Sequence, residues 1–174
     1  MSVHRRSPLP RAAARGRLIV ADQVLAPTSA ALQRSHGADG PHEGLVLWLG
    51  RTVGASTVVL AMTEPGTDHG PQHVFCNERA VGDATRAAHA AGLGVVAQVH
   101  SHPGGDTRHS DGDDSLILMP FENMFSLVAG LYGGGSLLPP AAGLHQYQDG
   151  RWVQVTSGDA MIVTPGRLAS QEPA

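Results

Sequence analysis

The chain has no lysine: all twelve of its basic residues are arginine. GC-rich codon usage is the expected reason, since Ala, Gly and Arg are abundant together, and the alternative is that the chain gains by offering no lysine acceptor. There is one cysteine, Cys76, which excludes an internal disulfide, leaves a structural zinc site short of thiolates and fits a reducing compartment, so a cytoplasmic location is expected. Apolar runs fall far short of the roughly 20 residues that a membrane helix needs, and Leu18-Ile19-Val20-Ala21 is too short for a secretory core. A net charge of −3 gives no electrostatic case for a nucleic acid or an anionic membrane as partner. No internal repeat and no linker divides the 174 residues, which make one domain with length enough to bury a core.

The chemistry is concentrated between His100 and Asp113. Val95 to Val99 is a β-branched run that reads as a buried strand, so His100 and His102, two residues apart, project from the same face. Pro103 removes a backbone donor and Gly104-Gly105 turns the chain, which ends the strand where the histidines end. Ser110, three residues before Asp113, is a helix-start signature that puts the carboxylate in a first turn. Two imidazoles and a carboxylate can converge on one divalent cation, and three protein ligands with one open position is the arrangement of a catalytic zinc. Calcium fits Asp111-Gly112-Asp113-Asp114 less well, because the alternate oxygen ligands and bidentate glutamate of a calcium loop are missing and imidazoles favour zinc.

His-x-His-Pro, six residues, Ser, two residues and Asp resembles the signature of the JAMM, or MPN-plus, zinc metalloproteases. It is complete from His100 to Asp113, and the family's upstream glutamate is matched by Glu43 in Glu43-Gly44-Leu45-Val46-Leu47-Trp48-Leu49-Gly50. The resemblance implies an α/β fold: a single JAMM/MPN-like domain of the compact prokaryotic type, with a mixed central β-sheet flanked by helices, related to cytidine deaminases. It implies one zinc held by His100, His102 and Asp113. It also implies a water activated by that zinc, Glu43 as base and Ser110 as the donor to the oxyanion, the machinery of a peptidase or isopeptidase. The implied partner is the C-terminal tail of a ubiquitin-like or sulfur-carrier protein, with activating or conjugating enzymes in the same pathway. Cleavage after a C-terminal glycine, release of an amino acid such as cysteine, and a metal-free binding scaffold are the alternatives. The deaminase alternative lacks its cysteine ligands here.

Taken in order, residues 1–15 read as a disordered basic tail, residues 16–160 as the catalytic domain and residues 161–174 as a second disordered tail. Leu18–Ala21 reads as a strand, and a helix from Pro27 to Arg34 is expected to end at Gly37 as a left-handed cap. Leu45–Leu49 and Val58–Met62 read as a hairpin that places Glu43 at a strand's entry, with residues 63–73 as loop. Asn77 is expected to cap a helix running from Glu78 to Ala91, ended by Gly92. Its small-residue stripe (Ala80, Val81, Ala84, Ala87, Ala88, Ala91) would lie against the sheet. Pro120 limits the helix after Asp113, Met124–Leu131 reads as a strand, and Gly133-Gly134-Gly135 as a mobile connection. Asp149-Gly150 suits a type I′ turn between Gln146 and Val153. Asp106, His109 and Asp111 read as solvated loop residues. A second metal site from His69, His73 and Cys76 is disfavoured by its loose spacing.

Overall fold

The computed structural model describes residues 7–116 and 120–165. In chain order the elements are β1 Arg11–Ala12, β2 Leu18–Ala21, α1 Leu25–Gln33, β3 His36–Gly37, β4 Gly40–Pro41, β5 Leu45–Val53, β6 Ser56–Thr63, β7 Asp68–Gly70 and β8 His73–Phe75. They continue with α2 Glu78–Ala90, β9 Gly94–Ser101, β10 Phe125–Ala129, β11 Gly143–Gln148, β12 Arg151–Val155 and β13 Met161–Thr164. Nine of the strands form one mixed sheet in the order β1-β12-β11-β10-β9-β5-β6-β2-β13, and β3-β4 and β7-β8 are small separate hairpins. A single mixed-sheet domain with few helices is therefore what the signature residues stand on.

The continuous apolar run of β5 follows from its position at the middle of this sheet, where both faces are covered. Val46 and Trp48 join the core that contains Leu32 of α1 and Leu18 and Val20 of β2. Leu47 points the other way, packing with Ala84 of α2, Met124 and Trp152. The indole of Trp48 is buried with its N–H donating to Thr28 Oγ1 at 2.8 Å, and the Thr28 hydroxyl in turn donates to the Val24 carbonyl. Leaving that indole unmet would cost about 1–3 kcal/mol. α2 begins as expected, Asn77 accepting the Ala80 amide at 2.9 Å, and ends before Gly92, whose φ of +70° needs glycine. The β5-β6 and β11-β12 hairpins form as read, with Asp149 and Gly150 both at positive φ.

Several expectations are corrected. The sheet extends past both ends of 16–160: β1 pairs with β12 and β13 pairs with β2. Sheet edges carry unpaired amides and carbonyls that short extended segments satisfy. Arg15, assigned to a solvated tail, bonds Glu122 at 2.9 Å and Asp149 at 2.5 Å. The remaining tail residues, 1–6 and 166–174, lie outside the described residues. Gly37 is part of β3 and not a left-handed cap; Gly40, at φ +117°, makes that turn. Residues 63–73 contain β7 and the start of β8. In α2, Ala84 and Ala88 are buried but Ala87 and Ala91 face solvent. The strand expected over Met124–Leu131 stops at Ala129. Gly133 and Gly135 are not in a loose connection: both amides donate to the Gly130 carbonyl at 3.1 Å, and a Cβ on Gly133 would meet Leu32 Cβ at 2.4 Å. Here the glycine is the price of close approach between α1 and the β10 exit. After Asp113 the chain makes one 3-10 turn, Asp113–Ser115.

Candidate metal centre

Strand register brings the signature together. In the β5-β9 ladder Leu45 pairs with His100. Continuing that antiparallel register puts Gly44 beside Ser101 and Glu43 beside His102. The buried Ser101 fixes this junction: its amide donates to the Gly44 carbonyl at 3.0 Å and its hydroxyl accepts the Gly44 amide at 2.9 Å. On its other side the Glu43 amide donates to the Gly70 carbonyl at 2.9 Å, so β7 forms a wall next to the carboxylate.

His100 Nε2 and His102 Nε2 stand 3.2 Å apart, and Asp113 Oδ2 lies 3.3 Å from the first and 3.1 Å from the second. All three side chains are buried. Ligands about 2.0–2.1 Å from a tetrahedral ion stand about 3.3 Å from one another, which is the spacing seen. The tautomer also fits. His102 Nδ1 donates to the Asp106 carbonyl at 2.8 Å, which leaves Nε2 a lone pair directed into the cluster. Asp106 is thus placed beside the centre, supporting it through the main chain, while its carboxylate bonds Arg108.

Ser110 does not cap a helix, since the 3-10 turn Asp113–Ser115 has Gly112 at its N-cap, but the reciprocal bonds of that reading form: the Ser110 amide donates to Asp113 Oδ2 at 2.5 Å and the Asp113 amide donates to Ser110 Oγ at 3.3 Å. Leu116, one turn on, anchors this segment in a cluster with Leu45, Val74 and Cys76, which makes Cys76 a packing residue. His69 meets His42 Nδ1 to Nδ1 at 2.8 Å, away from any shared site with His73 and Cys76. Among the described residues, His100, His102 and Asp113 are the one group whose ligand atoms converge.

Electrostatics favour a cation here. Burial resists ionisation of Asp113, but the facing His100 and His102 outweigh it and hold the carboxyl well below the usual range. Burial pushes the His100 imidazole down to about 4 against the pull of Asp113, so it is neutral at pH 7 and able to give a lone pair. Glu43, 4% exposed, has its carboxyl pushed up to about 7 by burial, with His102 opposing and Asp113 adding to the rise.

Two features were not legible in the signature. His109, read as solvated, is fully buried: its ring lies 5.6 Å from that of His100 and 4.2 Å from that of His145 on β11. The signal was present in the polar Gln98 and Ser126, each set between apolar neighbours on its strand. Leu131 and Tyr132 are consecutive non-glycine residues in the left-handed region, at φ 55° and 52°, each costing about 1–2 kcal/mol. Their amides donate to Gly104 and His102 carbonyls at 3.0 and 2.8 Å, and the Tyr132 hydroxyl reaches the Pro71 carbonyl at 3.0 Å. Tyr132 therefore straps the His102 turn to the wall beside Glu43.

A family model described as prokaryotic homologs of the JAB domain matches residues 25–136. No curated protein matches the chain. Among solved structures, a solution structure of a protein from Desulfitobacterium hafniense is 18% identical over 85% of this chain and 93% of that one, with a TM-score of 0.62. Another, from Salinibacter ruber, is 18% identical over 88% of this chain and 95% of that one, with a TM-score of 0.55. These two share the fold. A crystal structure of a JAB1/MPN domain protein from Archaeoglobus fulgidus is 16% identical over 86% and 98% of the two chains, with a TM-score of 0.47. No helix among the described residues is long and apolar enough to cross a membrane.

Proposed function

The chain belongs to the prokaryotic JAB-domain family, and from that membership we propose that it is a zinc-dependent peptidase or isopeptidase. It hydrolyses the bond after the C-terminal glycine of a ubiquitin-like protein, in deconjugation or precursor processing. The observation that carries this reading is the buried convergence of His100, His102 and Asp113 beside an equally buried Glu43. His100 and His102 would give their Nε2 atoms to zinc and Asp113 its Oδ2. When bound, zinc supplies Lewis acidity that polarises a carbonyl and acidifies water.

The chain's own residues supply the rest. Glu43 takes a proton from the attacking water and delivers it to the leaving amine, which departs poorly without one. A carboxyl held near neutrality suits both halves of that transfer. Ser110, fixed by its reciprocal bonds with Asp113, is the donor to the developing oxyanion. A glycine at the cleavage point lets the substrate backbone approach a centre enclosed by β7 and the Tyr132 strap. The absence of a metal-free scaffold's substitutions supports catalysis: glutamate, both histidines and aspartate are all in place.

The test is metal content by plasma mass spectrometry on protein purified without chelator or histidine tag, together with product masses from a ubiquitin-like protein extended past its terminal glycine. About one zinc per chain in the parent, little in His102→Ala and a product ending at glycine are expected. A single amino acid as the released product would favour a sulfur-carrier substrate. No zinc even after its addition would leave a binding scaffold.

The base also sets a pH profile. Glu43 works as the carboxylate, so kcat/KM measured at saturating zinc is expected to fall about tenfold per pH unit below its pKa. That pKa is about 7 in the metal-free protein, and a nearby cation lowers it, so the limb lies at or below pH 7. A profile with no acid limb all the way down to the pH at which zinc is released would remove Glu43 from the role.

A further inference from the structure

Gln98, Ser126 and His145 are register partners on β9, β10 and β11, and they form a transverse polar row across the sheet. All three are fully buried. Burying polar side chains in a row costs free energy unless something meets them. A loop residue meets part of the row, leaving Gln98 Oε1 and His145 Nδ1 without a hydrogen bond. His109 Nε2 lies 2.9 Å from Ser126 Oγ, which also accepts Gln98 Nε2 at 3.0 Å, and the His109 amide donates to His145 Nε2 at 3.3 Å. Trp152 closes the seat, 5.0 Å from the imidazole. His109 Nδ1 faces the Asp114 carboxylate at 3.6 Å. The chain of donors Gln98 to Ser126 to His109 therefore runs in one consistent direction, and the Asp114 contact at 3.6 Å is electrostatic, His109 Nδ1 having no hydrogen-bond partner.

His109 directly precedes Ser110, and Asp114 directly follows Asp113. The seat thus brackets the segment whose Ser110 and Asp113 bond each other. We propose that His109 is a positioning residue: docked on the Gln98-Ser126-His145 row, it sets the register of Ser110 and Asp113 against the two strand histidines. A loop after Gly104-Gly105 has many conformations available, and a buried polar anchor selects one of them. The catalytic consequence rests on the metallopeptidase reading, but the seat itself belongs to the metal-free protein.

The test is amide hydrogen exchange at Ser110 and Asp113 in the full-length, metal-free protein, followed by zinc affinity from competition with a chelator. Glutamine reproduces the position of histidine Nε2 and asparagine that of Nδ1. His109→Leu and His109→Asn are expected to speed exchange at both amides at least tenfold and to weaken zinc about 10–100-fold. His109→Gln is expected to stay within about threefold of the parent on both readouts, because its amide still reaches Ser126. Ser126→Ala removes the receiving oxygen without a bulky change. It should reproduce the leucine phenotype and add nothing when combined with it. Parent-like exchange in Ser126→Ala, or equal behaviour of the glutamine and asparagine variants, would overturn the proposal and leave His109 as core filling. If the parent itself bound no zinc, the peptidase reading would fail, and the exchange result would still decide whether the seat holds the loop.

Discussion

Glu43→Gln is expected to bind zinc as the parent does and to lose about 10²–10⁴-fold in turnover, the usual share of a general base. The substitution keeps the shape of the side chain and the backbone bond to Gly70, so the β7 wall stays in place. It removes only the oxygen that accepts a proton. Because the carboxyl is buried and pushed up to about 7, glutamine replaces a group that is partly neutral already, and the metal-free protein should melt at or slightly above the parent temperature. The measurement is kcat at saturating substrate and zinc, beside zinc content. Parent-rate cleavage by the glutamine variant would show that another group takes the proton.

Asp113→Asn is expected to act on the other half of the centre. Zinc that binds only the native state stabilises the parent by about 2.7 kcal/mol at a hundredfold excess over its Kd, which for a domain of this size is a rise of about 5–10 °C in Tm. Asparagine can still accept the Ser110 amide, so the reciprocal turn is kept. What is lost is the charge that His100 and His102 face at 3.3 and 3.1 Å. The zinc-dependent rise in Tm should then shrink to about 1 °C or less at the same concentration. A full rise in the variant would mean that Asp113 is not a ligand. The two substitutions together separate binding from turnover, since Glu43→Gln is expected to spare the zinc binding that Asp113→Asn removes.

The fold and the centre were legible in the sequence to different depths. His100, His102, Asp113 and Ser110 could be read because their spacing carries local geometry: alternate strand positions share a face, and serine three residues before aspartate closes a turn. Glu43 could be placed at a strand entry, but what aims it is the β5-β9 register, a pairing across more than fifty residues that local pattern does not contain. The edge strands were missed for the same reason, since Arg11–Ala12 has no strand signal of its own and is extended because β12 has an open edge. His109 is the instructive failure. A histidine among Gly, Asp and Arg looks solvated, and only the partner row on three other strands makes its burial favourable. Gly133 looked flexible for want of its neighbour Leu32, which fixes it.

The way the sheet's two edges are closed bears on how the chain is made. β1, near the start, lies beside β12, and β13, near the end, lies beside β2. Each edge thus takes its last strand from the opposite end of the sequence. During synthesis the β5-β6 hairpin and α2 can form as they emerge, yet β1 has no partner until residues 151–155 exist and β2 keeps an open flank until residues 161–164 are out. The nascent sheet stays open at both edges until β12 and β13 have emerged, and the enclosure of its core is a long-range event.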